Sequence, residues 1–179
     1  EYVLKLLSVI VTIILVAAAC MAACTGEEPG PLPETKSPAL PGQPIVSVGD
    51  MSGKGTRGGT IDAVTFRIGL APGVQSVDME KISIIYADAV RTETLVPVSG
   101  FHGIPPQGSW GILEVIGEEG IANNRVEFDE LFVIQVNPRA PIVPRQFVTI
   151  VIRPLSGTPL SLIRVAPPSI LDENILTPP

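Results

Sequence analysis

The most continuous apolar stretch of the chain lies near its N-terminus. Residues 6–25 form a run of 20 residues without a charge, LLSVIVTIILVAAACMAACT, preceded by Lys5 and followed by Glu27 and Glu28. As a helix, this run would be about 30 Å long, which matches the hydrocarbon core of a bilayer. Because the run is apolar on all sides, it predicts a hydrophobic helix over residues 1–25 that lies in a membrane or against its own copies.

The same helix offers a surface for self-assembly. Its first half is rich in leucine, isoleucine and valine, and its second half is rich in alanine. Alanines spaced four residues apart let two helix backbones approach closely. The predicted assembly core consists of Leu6, Leu7, Val9, Ile10, Ile13, Ile14, Val16, Ala18 and Ala22.

Three interpretations of this segment compete. A secretory signal peptide would be removed, whereas a lipoprotein signal would be cleaved before Cys20 or Cys24, both of which follow small residues. A retained helix would anchor the protein or assemble it. The first residue is Glu1 rather than methionine, which favours a retained helix that has already been processed. On that interpretation the two cysteines are small apolar packing residues.

A proline-rich segment separates the apolar run from the rest of the chain. Six of the 19 residues in 26–44 are proline. Proline at this density interrupts a helix and favours an extended backbone. Residues 26–44 are therefore predicted to be a semi-rigid spacer.

Residues 45–179 show the alternation of apolar and polar positions that is typical of β-strands. In residues 60–70, for example, Val64, Phe66 and Ile68 alternate with Thr65 and Arg67. Such patterns, bounded by glycine and proline, predict an antiparallel immunoglobulin-like β-sandwich of about 7–8 strands. The predicted fold class is therefore α + all-β, with strands at 45–48, 60–70, 81–87, 92–98, 110–116, 131–136, 147–153 and 160–165.

Charge and candidate chemistry exclude several classes of function. The net charge of −6 gives no basic surface for nucleic acid. The one histidine, His102, has no partner in a recognisable catalytic motif, so no enzyme, cofactor or metal site is expected. The glycine-rich segments from Gly53 to Thr56 and at Gly58-Gly59 lack the spacing of a phosphate-binding loop and are predicted to form a flexible turn. The acidic pairs Glu118-Glu119 and Asp129-Glu130 are interpreted as solvated turns, with a weak calcium site as the alternative.

Four segments of the β-region resemble archaellins, the archaeal flagellins. They are residues 58–73 (GGTIDAVTFRIGLAPG), 77–88 (VDMEKISIIYAD), 127–136 (EFDELFVIQV) and 147–170 (FVTIVIRPLSGTPLSLIRVAPPSI). The resemblance implies a structural subunit of an extracellular motility filament at the cell surface. In such a homopolymer the N-terminal helix packs in the filament core and the β-sandwich faces outward. Before assembly the helix lies in the membrane, and the resemblance also implies archaellum motor and platform proteins as partners.

Two departures from archaellins leave alternatives open. A proline spacer begins at Pro29, where archaellins usually continue the helix, and Cys20 and Cys24 are atypical. The alternatives are a minor archaellum component, or a membrane-anchored or lipidated surface protein. In the latter, loops of the sandwich such as residues 101–109 would bind a ligand.

Overall fold

The computed structural model describes Lys36 and residues 38–99, 104–118 and 123–179. The chain divides into two compact units, Glu1–Pro33 and Glu34–Pro179, and every described residue belongs to the second. The predicted helix over residues 1–25 lies outside the described residues. Among those that are described, no helix is long and apolar enough to cross a membrane.

Strands dominate the described part of the chain. Within it there are eleven strands and a 3-10 helix at Met79–Lys81. The strands are β1 (Ile45–Gly55), β2 (Ile61–Leu70), β3 (Val77–Asp78), β4 (Ser83–Ala87), β5 (Thr92–Val98), β6 (Ser109–Ile116), β7 (Arg125–Val126), β8 (Leu131–Asn137), β9 (Phe147–Arg153), β10 (Leu160–Val165) and β11 (Glu173–Leu176).

Nine of the described strands form one sheet, in the order β10-β9-β4-β5-β6-β8-β2-β1-β11. Strands β5 and β6 pair in parallel and thereby join β10-β9-β4-β5 to the other five strands. The two ends of the sheet also meet, because Val165 at the end of β10 and Thr177 after β11 exchange two backbone hydrogen bonds of 2.8 and 3.2 Å. The sheet is therefore nearly closed on itself.

The predicted fold class, α + all-β with an antiparallel sandwich of about 7–8 strands, is wrong. The residues that the structure describes are nearly all β and contain no α-helix, and their main sheet is nearly closed rather than split into two antiparallel layers. Alternation along a strand determines which side chains point inward, but it does not identify the neighbouring strand. The parallel β5–β6 pair and the contact between Val165 and Thr177 join residues that no hairpin connects.

The interior of this sheet is filled as the alternation in β2 predicts. Val64, Phe66 and Ile68 are at most 2% exposed, whereas Thr65 and Arg67 point outward and are half-buried. The sequence thus correctly assigned the inward face of this strand. The core side chains pack against their counterparts on the opposite strands, and this burial supplies most of the free energy that stabilises the domain.

Strand β1 continues through the first two of the glycines that were predicted to form a flexible turn. Gly53 pairs with Val64 of β2 and with Asn174 of β11, so the prediction is wrong for Gly53 and Gly55. Gly58 and Gly59, in contrast, lie in the turn that follows, where the Gly59 amide donates to the Thr56 carbonyl at 3.0 Å. A Cβ atom on Gly53 would lie 2.9 Å from the side chains of Ile61 and Leu176. The glycine therefore allows close packing against both neighbouring strands, and one of these contacts, to Leu176, comes from more than 100 positions away.

Strand β6 contains a bulge that keeps an acidic side chain out of the core. Ile112 pairs with Ile134 and Glu114 pairs with Val133, which leaves Leu113 as the extra residue. Without a bulge, strict alternation would place Glu114 on the inward face with Ile112. With it, Val115 resumes the inward position opposite Phe132.

The end of the proline-rich segment contacts the β-domain. Lys36 forms a bridge with Val48 of β1, and the backbone N–H of Thr158 donates to the Gly42 carbonyl at 2.8 Å. The hydroxyl of Thr158 also donates to the Pro41 carbonyl at 3.2 Å. The division at residue 44 stays a prediction, although residues 41 and 42 already hydrogen-bond to the β9–β10 turn.

Candidate assembly surfaces

The side chains that the sequence assigned to the assembly core all lie outside the described residues. They are Leu6, Leu7, Val9, Ile10, Ile13, Ile14, Val16, Ala18 and Ala22. His102 and Glu119 also lie outside the described part of the chain. Candidate assembly surfaces are therefore described on the β-domain, whose contacts the structure shows.

Glu118 and Glu130, one residue from each acidic pair, accept local backbone hydrogen bonds. The Glu118 carboxylate accepts a hydrogen bond from the Asn123 amide at 2.8 Å. Glu130 is 5% exposed, and its carboxylate accepts from the Glu127 amide at 2.9 Å. Within the described residues, no group of three or more histidine, cysteine or acidic side chains could hold a metal ion. The Glu118 and Glu130 carboxylates thus each bind a nearby backbone amide, and Glu130 closes the turn that precedes β8.

The turn before β8 presents an aromatic ring to solvent. Phe128 is 81% exposed between the acidic residues Glu127 and Asp129. The turn is closed by the Glu130 amide, which donates to the Glu127 carbonyl at 3.3 Å, and by the bond from the Glu127 amide to the Glu130 carboxylate. Asp129 has a φ of 62°, a left-handed conformation that acidic residues in turns tolerate. We call Glu127 to Glu130 the Phe128 turn.

The outward side of strands β4, β5, β9 and β10 is a broad surface with few charges. Register places Ile85 beside Thr94 and Val151, and Thr149 beside Ala87 and Ile163. We call this surface the uncharged face; it consists of Ser83, Ile85, Ala87, Thr92, Thr94, Val96, Phe147, Thr149, Val151, Ser161, Ile163 and Val165. Arg153, opposite Ser83, lies at its border.

Several apolar side chains of the uncharged face remain accessible. Phe147 is 58% exposed, Val96 58% and Ile163 46%. Single exposed apolar residues are ordinary on protein surfaces, but a contiguous group that lacks charge is typical of a contact region. The face is therefore a candidate for protein contact.

The Asp88 carboxylate accepts several hydrogen bonds that stabilise the hairpin joining β4 to β5. Asp88 Oδ1 accepts from the amides of Val90 and Arg91 at 2.8 and 2.9 Å, and Oδ2 accepts from the Tyr86 hydroxyl at 3.3 Å and from Gln146 Nε2 at 3.0 Å. Burial opposes ionisation of Asp88, but these hydrogen bonds and the Arg91 charge outweigh it and hold the pKa of Asp88 below its ordinary value. Burial, together with the Asp88 charge, raises the pKa of Tyr86.

An open cavity of about 350 Å³ lies beside β5 and β6. Its walls include Met79, Val98, Trp110 and Val115, with Glu80 and Glu114 among the lining residues. Trp110 is 3% exposed, and its indole nitrogen has no hydrogen-bond partner but is shielded from solvent. Because that N–H is covered, Trp110 presents an apolar wall to the cavity rather than a donor that could orient a ligand.

The chain segments that contain the uncharged face and the Phe128 turn differ in charge. Residues 145–165, which contain β9 and β10, carry three arginines and no acidic residue. Residues 114–130, which end in the Phe128 turn, carry six acidic residues and one arginine. A chain of net charge −6 therefore has one basic hairpin and one strongly acidic segment.

Comparison with known proteins supplies the fold relationship. No family model and no curated protein sequence matches the chain. Among solved structures, archaeal flagellin FlaB1 from Methanocaldococcus jannaschii matches with a TM-score of 0.59 and 16% identity, over 71% of this chain and 93% of the flagellin. The archaeal flagellum of Methanospirillum hungatei matches with a TM-score of 0.55 and 11% identity, over 97% of this chain and 93% of the other.

The chain has an archaellum-related fold. The resemblance stated from the sequence is thus confirmed at the level of fold, and neither protein is described as an enzyme. The periplasmic stator protein FlaG from Sulfolobus acidocaldarius also matches, over 57% of this chain and 85% of its own, with 14% identity. Its TM-score of 0.41 is too low to support an argument.

Neither the Phe128 turn nor the uncharged face was predicted from the sequence. The signal for the first was present in EFDE, where Phe128 is surrounded by acidic residues and so fits no buried position. The signal for the second was weaker, because a strand such as FVTIVIR is apolar on both faces. Only the pairing of β9 with β4 and β10, and of β4 with β5, shows that the outward positions of these four strands form one surface.

Proposed function

We propose that the chain is a structural subunit of an archaellum-type motility filament. The observation that carries this proposal is the fold that the chain shares with an archaeal flagellin. The match to an archaeal flagellum over 97% of the chain supports it further. In the proposed filament the apolar segment 6–25 mediates assembly and the β-domain faces outward.

The apolar segment supplies the driving force in this proposal. A run of 20 uncharged residues cannot stay exposed to water, so a membrane covers it before assembly and neighbouring copies cover it afterwards. Burial of about 1,000 Å² of apolar surface against those copies is worth about 25 kcal/mol before entropy is subtracted. A head-to-tail contact that repeats without closing produces a helical filament.

The partners of the subunit follow from this role. Identical copies are its main partners, a membrane is the site from which it assembles, and archaellum motor and platform proteins drive the finished filament. The assembled protein lies outside the cell at its surface. No catalytic activity is needed for this function.

Substitution in the apolar segment tests the assembly mechanism. We expect Ile13→Asp to abolish surface filaments seen by electron microscopy, because an ionised side chain cannot be buried among copies of the segment. The control is Leu171→Asp, since Leu171 is 68% exposed in the β-domain. Normal filaments from the Ile13→Asp variant would contradict assembly through this segment.

Immunogold labelling separates the filament subunit from the alternative roles. Antibody against the β-domain should label the whole shaft of the filament. Label confined to the filament base would indicate a minor component. Label spread over the cell envelope, together with acyl mass on Cys20 or Cys24, would indicate a lipidated surface protein. Either of these results would overturn the proposed function.

A further inference from the structure

We infer that β-domains of adjacent subunits contact each other head-to-tail, with the Phe128 turn of one copy against the uncharged face of the next. This inference rests on the proposed filament function, which supplies a second copy of the chain as the occupant of the face. The contact lies outside the apolar segment, and the proposed assembly mechanism does not require it.

The Phe128 turn is ordered before any partner binds. The backbone hydrogen bonds between Glu127 and Glu130 close it, and the buried Glu130 carboxylate anchors it. Phe128 itself has little cover, since 81% of its surface is exposed. A preorganised aromatic side chain loses little entropy on binding and can bury about 150–200 Å² of its surface.

The uncharged face has the size and character of an accessory contact. Four strands spaced about 4.8 Å apart, with a rise of about 3.3 Å per residue, give an area of about 400 Å². A stable interface between two independent proteins needs about 800 Å² on each partner. The face is thus too small to hold two free subunits together, but it suffices where another segment already holds the copies side by side.

Charge indicates which surface fits this face. The basic hairpin of residues 145–165 carries Arg145 and Arg153 on exposed positions, and Arg153 borders the face. The Phe128 turn brings an exposed aromatic ring with Glu127 and Asp129 beside it. An acidic aromatic turn against an uncharged face with Arg153 at its border is electrostatically complementary, whereas two copies of the acidic turn would repel each other.

The positions of the two surfaces favour an open chain of contacts. In the described sheet, the Phe128 turn leads into β8, and β8 is separated from β9 by β6, β5 and β4 in one direction. In the other direction, four strands intervene. The β5 edge of the uncharged face is separated from β8 by β6 alone, but its Arg153 border on β9 is three strands away, so within one copy the sheet holds the Phe128 turn away from Arg153. A contact between two different surfaces propagates from copy to copy.

A charge exchange in the full-length chain tests the contact. Glu127→Arg and Arg153→Glu should each reduce mean filament length about fivefold or more, because each replaces attraction with repulsion. The double variant should recover to within about twofold of the wild type. Glu173→Arg and Arg57→Glu are matched controls, since both are exposed charges outside the two surfaces. Trp110 fluorescence verifies that each variant is folded.

Cysteine crosslinking provides a second measurement. In filaments that carry both Phe128→Cys and Thr149→Cys, mild oxidation should give a ladder of covalent oligomers. Each single variant retains Cys20 and Cys24 and should give no ladder, so it controls for the natural cysteines.

The outcomes distinguish this contact from the proposed function. If the double-cysteine variant forms normal filaments that give no ladder on oxidation, and the single charge variants have wild-type length, the contact is overturned and the filament function is left intact. A wild-type chain that forms no filament would overturn both. Shortened filaments that the double variant does not restore would also contradict the pairing.

Discussion

Removal of the Asp88 carboxylate tests whether the β4–β5 hairpin is stabilised as its contacts indicate. The side chain of Asp88 is 2% exposed and accepts hydrogen bonds from Val90, Arg91, Tyr86 and Gln146. Its Oδ2 also lies 3.3 Å from Nε of Arg91. Asp88→Ala removes every acceptor, whereas Asp88→Asn keeps one oxygen and replaces the other with a donor.

The expected cost follows from the groups that lose a partner. The amides of Val90 and Arg91 are on an exposed turn and can bond to water, so their loss costs little. The Tyr86 side chain is buried, and Gln146 is half-buried, so each unmet donor costs about 1–2 kcal/mol. We expect Asp88→Ala to destabilise the domain by about 2–4 kcal/mol and to lower Tm by about 5–15 °C.

The pH dependence has a definite sign. The pKa of Asp88 in the folded state lies below its ordinary value of 3.8. The unfolded chain therefore takes up a proton at higher pH than the folded one, and the stabilisation is present above about pH 4 and lost as pH falls through the folded-state pKa. Asp88→Asn, which does not titrate, should lack this part of the acid destabilisation.

Thermal unfolding of the full-length protein in mild detergent provides the assay. The sequence contains one tryptophan, Trp110, which is 3% exposed, so its fluorescence reports loss of core packing. The control variant is Asp50→Ala, whose side chain is exposed and whose Tm should change little. An Asp88→Ala variant with the Tm of this control, or with the acid sensitivity of the wild type, would refute the reasoning.

The remaining predictions concern a buried hydroxyl, a close backbone approach and the two faces of the sheet. Burial raises the pKa of Tyr86 above 10.0, so wild-type stability should fall as pH rises above 10 in urea titrations, and Tyr86→Phe should remove that component. Gly55→Ala places a Cβ on a backbone carbonyl of the C-terminal segment and should speed hydrogen exchange in β11, whereas Gly58→Ala, which has space, should not. Ile150→Ala should cost about 2–5 kcal/mol in denaturant melts because the residue is fully buried. Ile163→Ala, at a site 46% exposed, should cost about 0.5 kcal/mol or less, and an equal loss in both would contradict the assignment of faces.

Only part of the candidate assembly surfaces could be predicted from the sequence. An apolar run without a charge is a local feature, so the sequence alone predicts that residues 6–25 avoid water. The Phe128 turn also has a local signal in its acidic neighbours. The uncharged face does not, because it exists only where β9 meets β4 and β10 in register.

Local patterns by themselves determined the strands and their inward faces. Eight of the strands were placed near their observed positions, and Val64, Phe66 and Ile68 were correctly assigned to the core, because alternation is a property of the single strand. The two-residue strands β3 and β7 and the C-terminal β11 are too short to show a period. The extension of β1 through Gly53 and Gly55 was hidden because glycine has no side chain to alternate.

Only the tertiary structure decided how the strands combine. The parallel β5–β6 pair, the bulge at Leu113 and the contact between Val165 and Thr177 all depend on residues that are distant in sequence. A strand's own residues specify which side faces the core. They do not specify the neighbouring strand, because any backbone can form the ladder hydrogen bonds. The closure of the sheet, and hence the surfaces on its outside, is therefore fixed by packing of the whole domain.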